Sequence, residues 1–108
     1  MSKFLKNKKK IETIFEHGKS IRENGLLLKF YDFKDGEIEF GVSVSKKLFS
    51  SAVKRNLIKR RIREQARSTE IVKKFSSGFS FFIIYTAKDI MASVDIKKRL
   101  EILIKKIL

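Results

Sequence analysis

The chain has 108 residues, with 26 Lys or Arg against 12 Asp or Glu, and a net charge of +14. It has no cysteine, which excludes disulfides and thiolate chemistry, and no apolar run approaches the roughly 18 residues of a membrane span. An excess of positive charge this large on one small domain indicates a polyanionic partner, first nucleic acid and second an anionic membrane surface. Since no long apolar segment follows the basic N-terminus, we expect a soluble cytoplasmic protein.

Residues 1–7 are expected to form a flexible basic tail. The next segment predicts a short helix that begins after an Asn7 cap and ends at Gly18. Its apolar face is formed by Ile11, Ile14 and Phe15.

Two apolar segments flank Asp35-Gly36, a pair that predicts a β-hairpin with a two-residue turn. In that register one face, expected to be core, carries Leu27, Lys29, Tyr31, Phe33, Ile38, Phe40, Val42 and Val44. The other face, expected to be a shallow groove, carries Leu26, Leu28, Phe30, Gly41, Ser43 and Ser45. A slip of one residue would exchange the two faces.

The second half of the chain predicts a basic helix over about Ala52 to Arg67, with one more helical turn in residues 71–75. The apolar run GFSFFIIYTA is typical of a strand buried on both faces. Residues 93–108 repeat apolar side chains at helical spacing. The element order α, β, β, α, β, α indicates a single mixed α/β (α+β) domain over residues 1–108.

The basic helix carries an oriented charged surface. Projection at 100° per residue places six polar side chains within an arc of about 140°. This basic arc consists of Arg55, Asn56, Lys59, Arg60, Arg63 and Arg67. Phosphates would relieve the repulsion among these cations, and Arg grips phosphate oxygens bidentately. The alternative is a solvated helix face. A DNA major-groove helix is disfavoured because no second helix with a tight turn precedes it.

The chain offers little for catalysis of its own. His17 is its one histidine, and a histidine beside a helix-ending glycine is typical of a cap or a surface group. The acids at 32, 35, 37 and 39 surround the predicted turn, so we interpret them as solvated turn charges rather than a metal site. Phe15 and Phe30 fit either ordinary core or a groove on which unpaired bases stack.

Residues 41–63, GVSVSKKLFSSAVKRNLIKRRIR, resemble the protein subunit of bacterial ribonuclease P. That family has a V-S-K-K strand end and then a helix with A-V-x-R-N-R-x-K-R-x-x-R. The matching residues are Val44, Ser45, Lys46, Lys47, Ala52, Val53, Arg55, Asn56, Lys59, Arg60 and Arg63. The chain departs from the pattern at Leu57, where the family usually has Arg, and at Ile11, where an aromatic residue is common.

The resemblance implies an α/β sandwich with a left-handed β-α-β crossover through the basic helix, where spacing alone would favour a right-handed one. It implies that an RNA subunit, using Mg²⁺, removes the 5′ leader of precursor tRNA. The protein would bind that catalytic RNA and hold the leader between its first helix and the sheet. It would be a monomer in isolation, with no metal or tightly bound cofactor of its own.

On this basis the basic arc, with Lys46 and Lys47 at the strand end, is assigned to RNA binding. The leader groove is assigned to Ile11, Phe15, Leu28, Phe30, Ser43 and Ser45. The alternative function is a structural RNA-binding protein of ribosomal or assembly type with no part in cleavage.

Overall fold

The computed structural model describes the backbone of residues 3–75 and 78–107 and the side chains of residues 5–75 and 78–107. The strands are β1 (Lys3–Phe4), β2 (Lys19–Glu23), β3 (Leu26–Asp32), β4 (Glu39–Val44) and β5 (Phe79–Tyr85). The helices are α1 (Lys8–His17), α2 (Ala52–Ser68) and α3 (Ser93–Ile107), with a 3₁₀ helix at Ile71–Lys74. None of the helices in the described residues has the length and apolar character needed to cross a membrane.

The five strands form one mixed sheet in the order β1-β4-β5-β3-β2. Strand β5 is central, antiparallel to β3 and parallel to β4, and five of its seven residues are buried. This confirms the prediction of a strand buried on both faces. The parallel pair β4 and β5 is connected through α2, and the left-handed sense of that crossover stays a prediction.

The predicted hairpin at Asp35-Gly36 is wrong, because β5 lies between β3 and β4. Backbone groups on both sides of Asp35-Gly36 instead bind Gly78, the residue just before β5. The Phe33 amide donates to the Gly78 carbonyl at 2.8 Å, and the Gly78 amide donates to the Glu37 carbonyl at 2.8 Å. The hairpin of the sheet joins β2 to β3, where Glu23 pairs with Leu26 and Gly25 adopts a φ of 87°.

The intervening strand also changes which side chains share a face. Leu26, Leu28 and Phe30 align through Tyr85, Ile83 and Phe81 with Val44, Val42 and Phe40. These residues form the main core, which α2 and α3 cover. The opposite face carries Leu27, Lys29, Tyr31, Gly41 and Ser43. The predicted division into a core face and a groove face is therefore wrong, because the β3 residues assigned to the groove lie on the same face as the β4 residues assigned to the core. A one-residue change of register has this effect.

Helix α1 covers this second face, which we call the α1 face. Ile14 is fully buried against Leu5 and Phe82, with Ile11, Tyr31 and Phe33 packed around them. Asn7 caps α1 as predicted, its side chain accepting from the amides of Lys9 and Lys10 at 3.0 and 3.2 Å. Gly18 caps the end of α1, and a Cβ there would lie 2.4 Å from the Ile14 carbonyl oxygen and 2.9 Å from that of Phe30. Glycine is required there for close packing.

The N-terminal segment is more ordered than we predicted. Lys3–Phe4 pair in parallel with Glu39 and Phe40 of β4. The Leu5 amide donates to the Phe40 carbonyl at 2.9 Å, and the Leu5 side chain is buried. The expectation of a flexible tail is therefore wrong for residues 3–5, because an apolar residue within the basic run can be buried under α1. Residues 1 and 2 lie outside the described part of the chain.

Candidate nucleic-acid interface

The orientation of α2 is fixed by a stripe of apolar residues along one side. Ile58, Ile62 and Ala66 are fully buried, and α2 packs with them against β4 and α3. Ser51 caps the helix, its hydroxyl accepting from the Lys54 amide at 3.3 Å. Burying each isoleucine stabilises this arrangement by about 1.5–3 kcal/mol, so the helix presents the same flank outward throughout its length.

The basic arc lies on that outward flank. Asn56, Arg60 and Arg67 are exposed, while Arg55, Lys59 and Arg63 are half-buried nearer the sheet. Arg55 also has a structural role, since one guanidinium nitrogen donates to the carbonyls of Phe49 and Ser50 at 2.7 and 2.9 Å. A guanidinium has five N–H donors, so these two bonds leave it donors for a phosphate.

Arg61 lies on the other flank of α2. Its guanidinium donates to the Met91 carbonyl at 2.9 Å, in the loop before α3. Leu57, one turn earlier on the same side, is half-buried. The six-residue basic arc and Arg61 therefore lie on different sides of the helix, since Arg61 projects about 100° beyond the edge of the arc.

Lys46 and Lys47 extend the positive surface beside the start of α2. Both are exposed and follow directly after β4. Ser45 shapes this turn: its hydroxyl accepts from the Lys47 amide at 3.0 Å, and its carbonyl accepts from the Phe49 amide at 3.1 Å. Ser45 thus holds the two lysines in place beyond the end of the strand.

The α1 face carries a partly exposed aromatic surface around Phe15, where α1 meets the sheet, and we call this surface the cleft. The Phe15 ring is 38% exposed and lies 5.3 Å from the Phe82 ring. Lys29 donates to the Phe15 carbonyl at 3.1 Å, with its ammonium 5.7 Å from the ring centroid. Phe82 in turn lies on Gly41, where a Cβ would be only 2.5 Å from the ring. An exposed aromatic ring beside an ammonium suits an unpaired base and its phosphate.

The cleft contains only part of the predicted leader groove. Ile11, Phe15 and Ser43 share the α1 face. Leu28 and Phe30 do not, because they lie on the opposite face: Leu28 is fully buried in the main core and Phe30 packs against Phe75. Their assignment to one groove with Phe15 is wrong in position. Lys29, Gly41 and Phe82 lie in the cleft instead, and only the pairing of β3 and β4 through β5 would have identified them.

The cleft and the basic arc meet at the edge of β4. A depression of about 330 Å³ there is lined by residues from both surfaces, including Leu5, Lys6, Gly41, Arg63 and Phe82. Arg63 belongs to the basic arc, whereas Gly41 and Phe82 form the floor of the cleft. The two surfaces are therefore continuous, and one RNA molecule or two adjoining strands could contact both.

The acidic residues near the β3–β4 loop bind protein groups. Lys10 forms ion pairs with Asp35 and, at 2.7 Å, with Glu39. Hydrogen bonds to these two carboxylates raise the pKa of Lys10, and the bond from Lys10 lowers the pKa of Asp35. Asp32 accepts from the Lys34 amide at 2.9 Å. In residues 3–75 and 78–107, no group of three His, Cys, Asp or Glu side chains is placed to hold a metal ion.

Comparisons with known proteins concern the whole chain and its fold. The family model for ribonuclease P matches residues 1–108. The ribonuclease P protein component of Clostridium kluyveri is 35% identical over 103 residues, covering 94% of this chain and 91% of the relative. The ribonuclease P protein structure from Staphylococcus aureus aligns with a TM-score of 0.76 at 30% identity, over 94% of this chain and 92% of its own. The Thermotoga maritima protein, at 23% identity and a TM-score of 0.78 over 96% of each chain, shares the fold.

Proposed function

This chain belongs to the ribonuclease P protein family, and we propose that it binds both the catalytic RNA and the 5′ leader of precursor tRNA. A ribonuclease P protein component works with the ribonuclease P RNA in tRNA processing. In our proposal the RNA subunit performs the Mg²⁺-dependent cleavage and the protein contributes binding. The proposed location is the cytoplasm, and the free protein is proposed to be a monomer.

The observation that carries this proposal is the continuity of two different surfaces at the β4 edge. The basic arc, with Lys46 and Lys47, is rich in Arg and Lys and suits the phosphates of a large structured RNA. The cleft beside Phe15 and Lys29 is partly aromatic with an ammonium beside the ring, which suits a single unpaired strand. A protein that contacts a folded RNA and a single-stranded leader at once needs such a pair.

The division of labour follows from what the described side chains offer. His17 is exposed beside Glu16, with Nε2 3.7 Å from its carboxylate, and the carboxylates of Asp35 and Glu39 bind Lys10. We therefore assign no general base or acid to the protein. Its contribution is positioning: holding the leader fixed relative to the catalytic RNA converts part of the binding energy into alignment of the scissile phosphate.

Reconstitution tests the proposal. The purified protein, the ribonuclease P RNA and precursor tRNA are mixed at low Mg²⁺, and release of the leader is followed on a gel. We expect cleavage to require the RNA and to be strongly accelerated by the protein. Mg²⁺-dependent cleavage by RNA-free protein would contradict the assignment of catalysis to RNA. A protein that binds the RNA without accelerating leader removal would instead favour the structural RNA-binding alternative.

A further inference from the structure

A second groove lies at the end of the sheet where β2 and β5 begin. One depression there, of about 490 Å³, is lined by Lys19, Phe30, Lys74, Phe75 and Phe79 among others. An adjoining depression of about 320 Å³ is lined by His17, Lys19, Phe30, Tyr31, Asp32 and Phe79. Because the two share Lys19, Phe30 and Phe79, they form one continuous surface, which we call the end groove.

The floor of the end groove is aromatic. The Phe30 ring lies 5.4 Å from Phe75 and 6.1 Å from Phe79, and Phe75 lies 5.6 Å from Phe79. Phe75 is buried, whereas Phe30 and Phe79 are half-buried and present part of their rings to the groove. Partly exposed rings in a concave site suit flat, unpaired bases, which stack on them without regard to sequence.

The rim of the end groove is basic. Lys19 and Lys74 are exposed and line the larger depression from two different elements, the start of β2 and the 3₁₀ helix. Lys106 also lines it, but its ammonium donates to the Arg22 carbonyl at 2.8 Å and lies 3.6 Å from the Glu23 carboxylate. Among the described residues that line either depression, Asp32 is the one with a carboxylate, and it accepts from the Lys34 amide. Lys19 and Lys74 are thus placed for phosphates.

The end groove continues the surface of the α1 face. Tyr31 packs with Phe33 beneath α1 and also lines the smaller depression. It lies two residues beyond Lys29 along β3, about 7 Å at the rise of a strand. His17 and Lys19 stand where α1 ends and β2 begins. A strand that passes Phe15 and Lys29 therefore reaches the end groove by continuing past Tyr31.

We propose that the end groove binds nucleotides of the precursor-tRNA leader that lie beyond those held beside Phe15. The inference rests on the proposed function, because it assumes that the leader occupies the cleft on the α1 face. Bases would stack on Phe30 and Phe79, and phosphates would bind Lys19 and Lys74. Holoenzyme affinity is then expected to rise in two stages as the leader is lengthened, the first stage from the cleft and the second from the end groove.

The test uses the holoenzyme and a series of precursor tRNAs whose leaders are shortened one nucleotide at a time. Dissociation constants are measured for wild type, for the double variant Lys19→Ala/Lys74→Ala and for Phe79→Leu. We expect both variants to lose the second stage and to match wild type on short leaders. For long leaders the double variant should lower the salt dependence, the slope of log affinity against log salt, by about 1.4. Phe79→Leu should weaken binding at least about fivefold, the equivalent of one base stack.

Two controls keep the outcomes separable. Lys98→Ala removes one charge from an exposed position of α3 and should behave as wild type at every length. Phe15→Ala should weaken the first stage. If the lysine variant weakens long and short leaders equally, or leaves all lengths unchanged while Phe15→Ala acts as expected, the end groove does not bind leader and the proposed function stands. If wild type shows no dependence on leader length, the proposed function itself fails.

Discussion

Arg60 and Arg61 are neighbours in sequence with the same charge, yet they lie on different flanks of α2. Their Cα directions differ by about 100°. Arg60 is an exposed member of the basic arc, whereas Arg61 is half-buried and donates to the Met91 carbonyl. Replacing either residue with Ala removes one positive charge, so the two variants have the same net charge and differ only in which flank of α2 has lost it.

The expected losses are of different kinds. Arg60→Ala should lower the slope of log affinity against log salt for the catalytic RNA by about 0.7–0.9, the effect of one phosphate contact, and change folding stability by less than about 0.5 kcal/mol. Arg61→Ala should leave the slope close to that of wild type. It should lower stability by about 1.5 kcal/mol, the worth of a hydrogen bond from a charged donor. The loop keeps a second contact in this variant, because the Met91 amide donates to the Tyr85 hydroxyl at 2.9 Å.

Fluorescence anisotropy with labelled ribonuclease P RNA over a salt series gives the slopes, and urea unfolding gives the stabilities. Both variants must show the circular dichroism spectrum of wild type before the slopes are compared. If Arg60→Ala and Arg61→Ala lose the same affinity with the same slope, α2 acts as a diffuse cation. The account of an oriented RNA-binding flank would then be wrong.

Four further predictions follow from single side chains. Phe15→Ala should weaken holoenzyme binding of precursor tRNA more than of mature tRNA; equal losses in a competition assay would argue against a leader cleft. Ser80→Ala should leave the free energy of unfolding in urea unchanged or raise it, because the buried hydroxyl has no hydrogen-bond partner in the described residues; a fall of more than about 1 kcal/mol would show that the hydroxyl is hydrogen-bonded. Lys10→Ala should lower the free energy of unfolding near neutral pH. The difference from wild type should shrink below about pH 4, where Asp35 with its lowered pKa is protonated, and above about pH 10, where Lys10 with its raised pKa loses its proton. A difference that stays the same in unfolding curves from acid to alkaline pH would exclude this ion pair. Leu57→Arg should keep the fold, since the side chain is half-buried at the helix surface, and gel-shift titration should show RNA binding no weaker than wild type; unfolding of the variant would place Leu57 in the core.

The elements that could be predicted from the sequence are those specified by local signals. The Asn7 cap and Gly18 mark the two ends of the ten-residue helix α1, and the apolar spacing of Ile58, Ile62 and Ala66 identifies the buried side of α2. The basic arc follows from the same spacing, because the geometry of one helix fixes which side chains point together. The continuous apolar run of β5 likewise required burial on both faces.

Strand pairing could not be predicted in the same way, because it depends on contacts distant in sequence. Asp35-Gly36 has the composition of a tight turn, but the backbone on both sides of it hydrogen-bonds to Gly78, and β5 then lies between β3 and β4. Asn24-Gly25 carries an equally strong turn signal and joins the strands that pair directly. The error at Asp35-Gly36 moved Leu28 and Phe30 to the wrong face, so the predicted leader groove mixed residues from two sides of the sheet.

The edge of β4 explains why the basic arc and the cleft, the two surfaces proposed to bind RNA, can meet. In the described residues β1 pairs only with Glu39 and Phe40, so β4 is a sheet edge from Gly41 onward. An open edge is a site for unwanted strand pairing, which proteins prevent with lysines and covering elements. Here Lys46 and Lys47 follow the edge and Arg63 reaches it from α2. Because β1 is short, no strand lies between the basic arc and the cleft along this part of β4 in the described residues. In the proposed complex, bound RNA would cover the open edge.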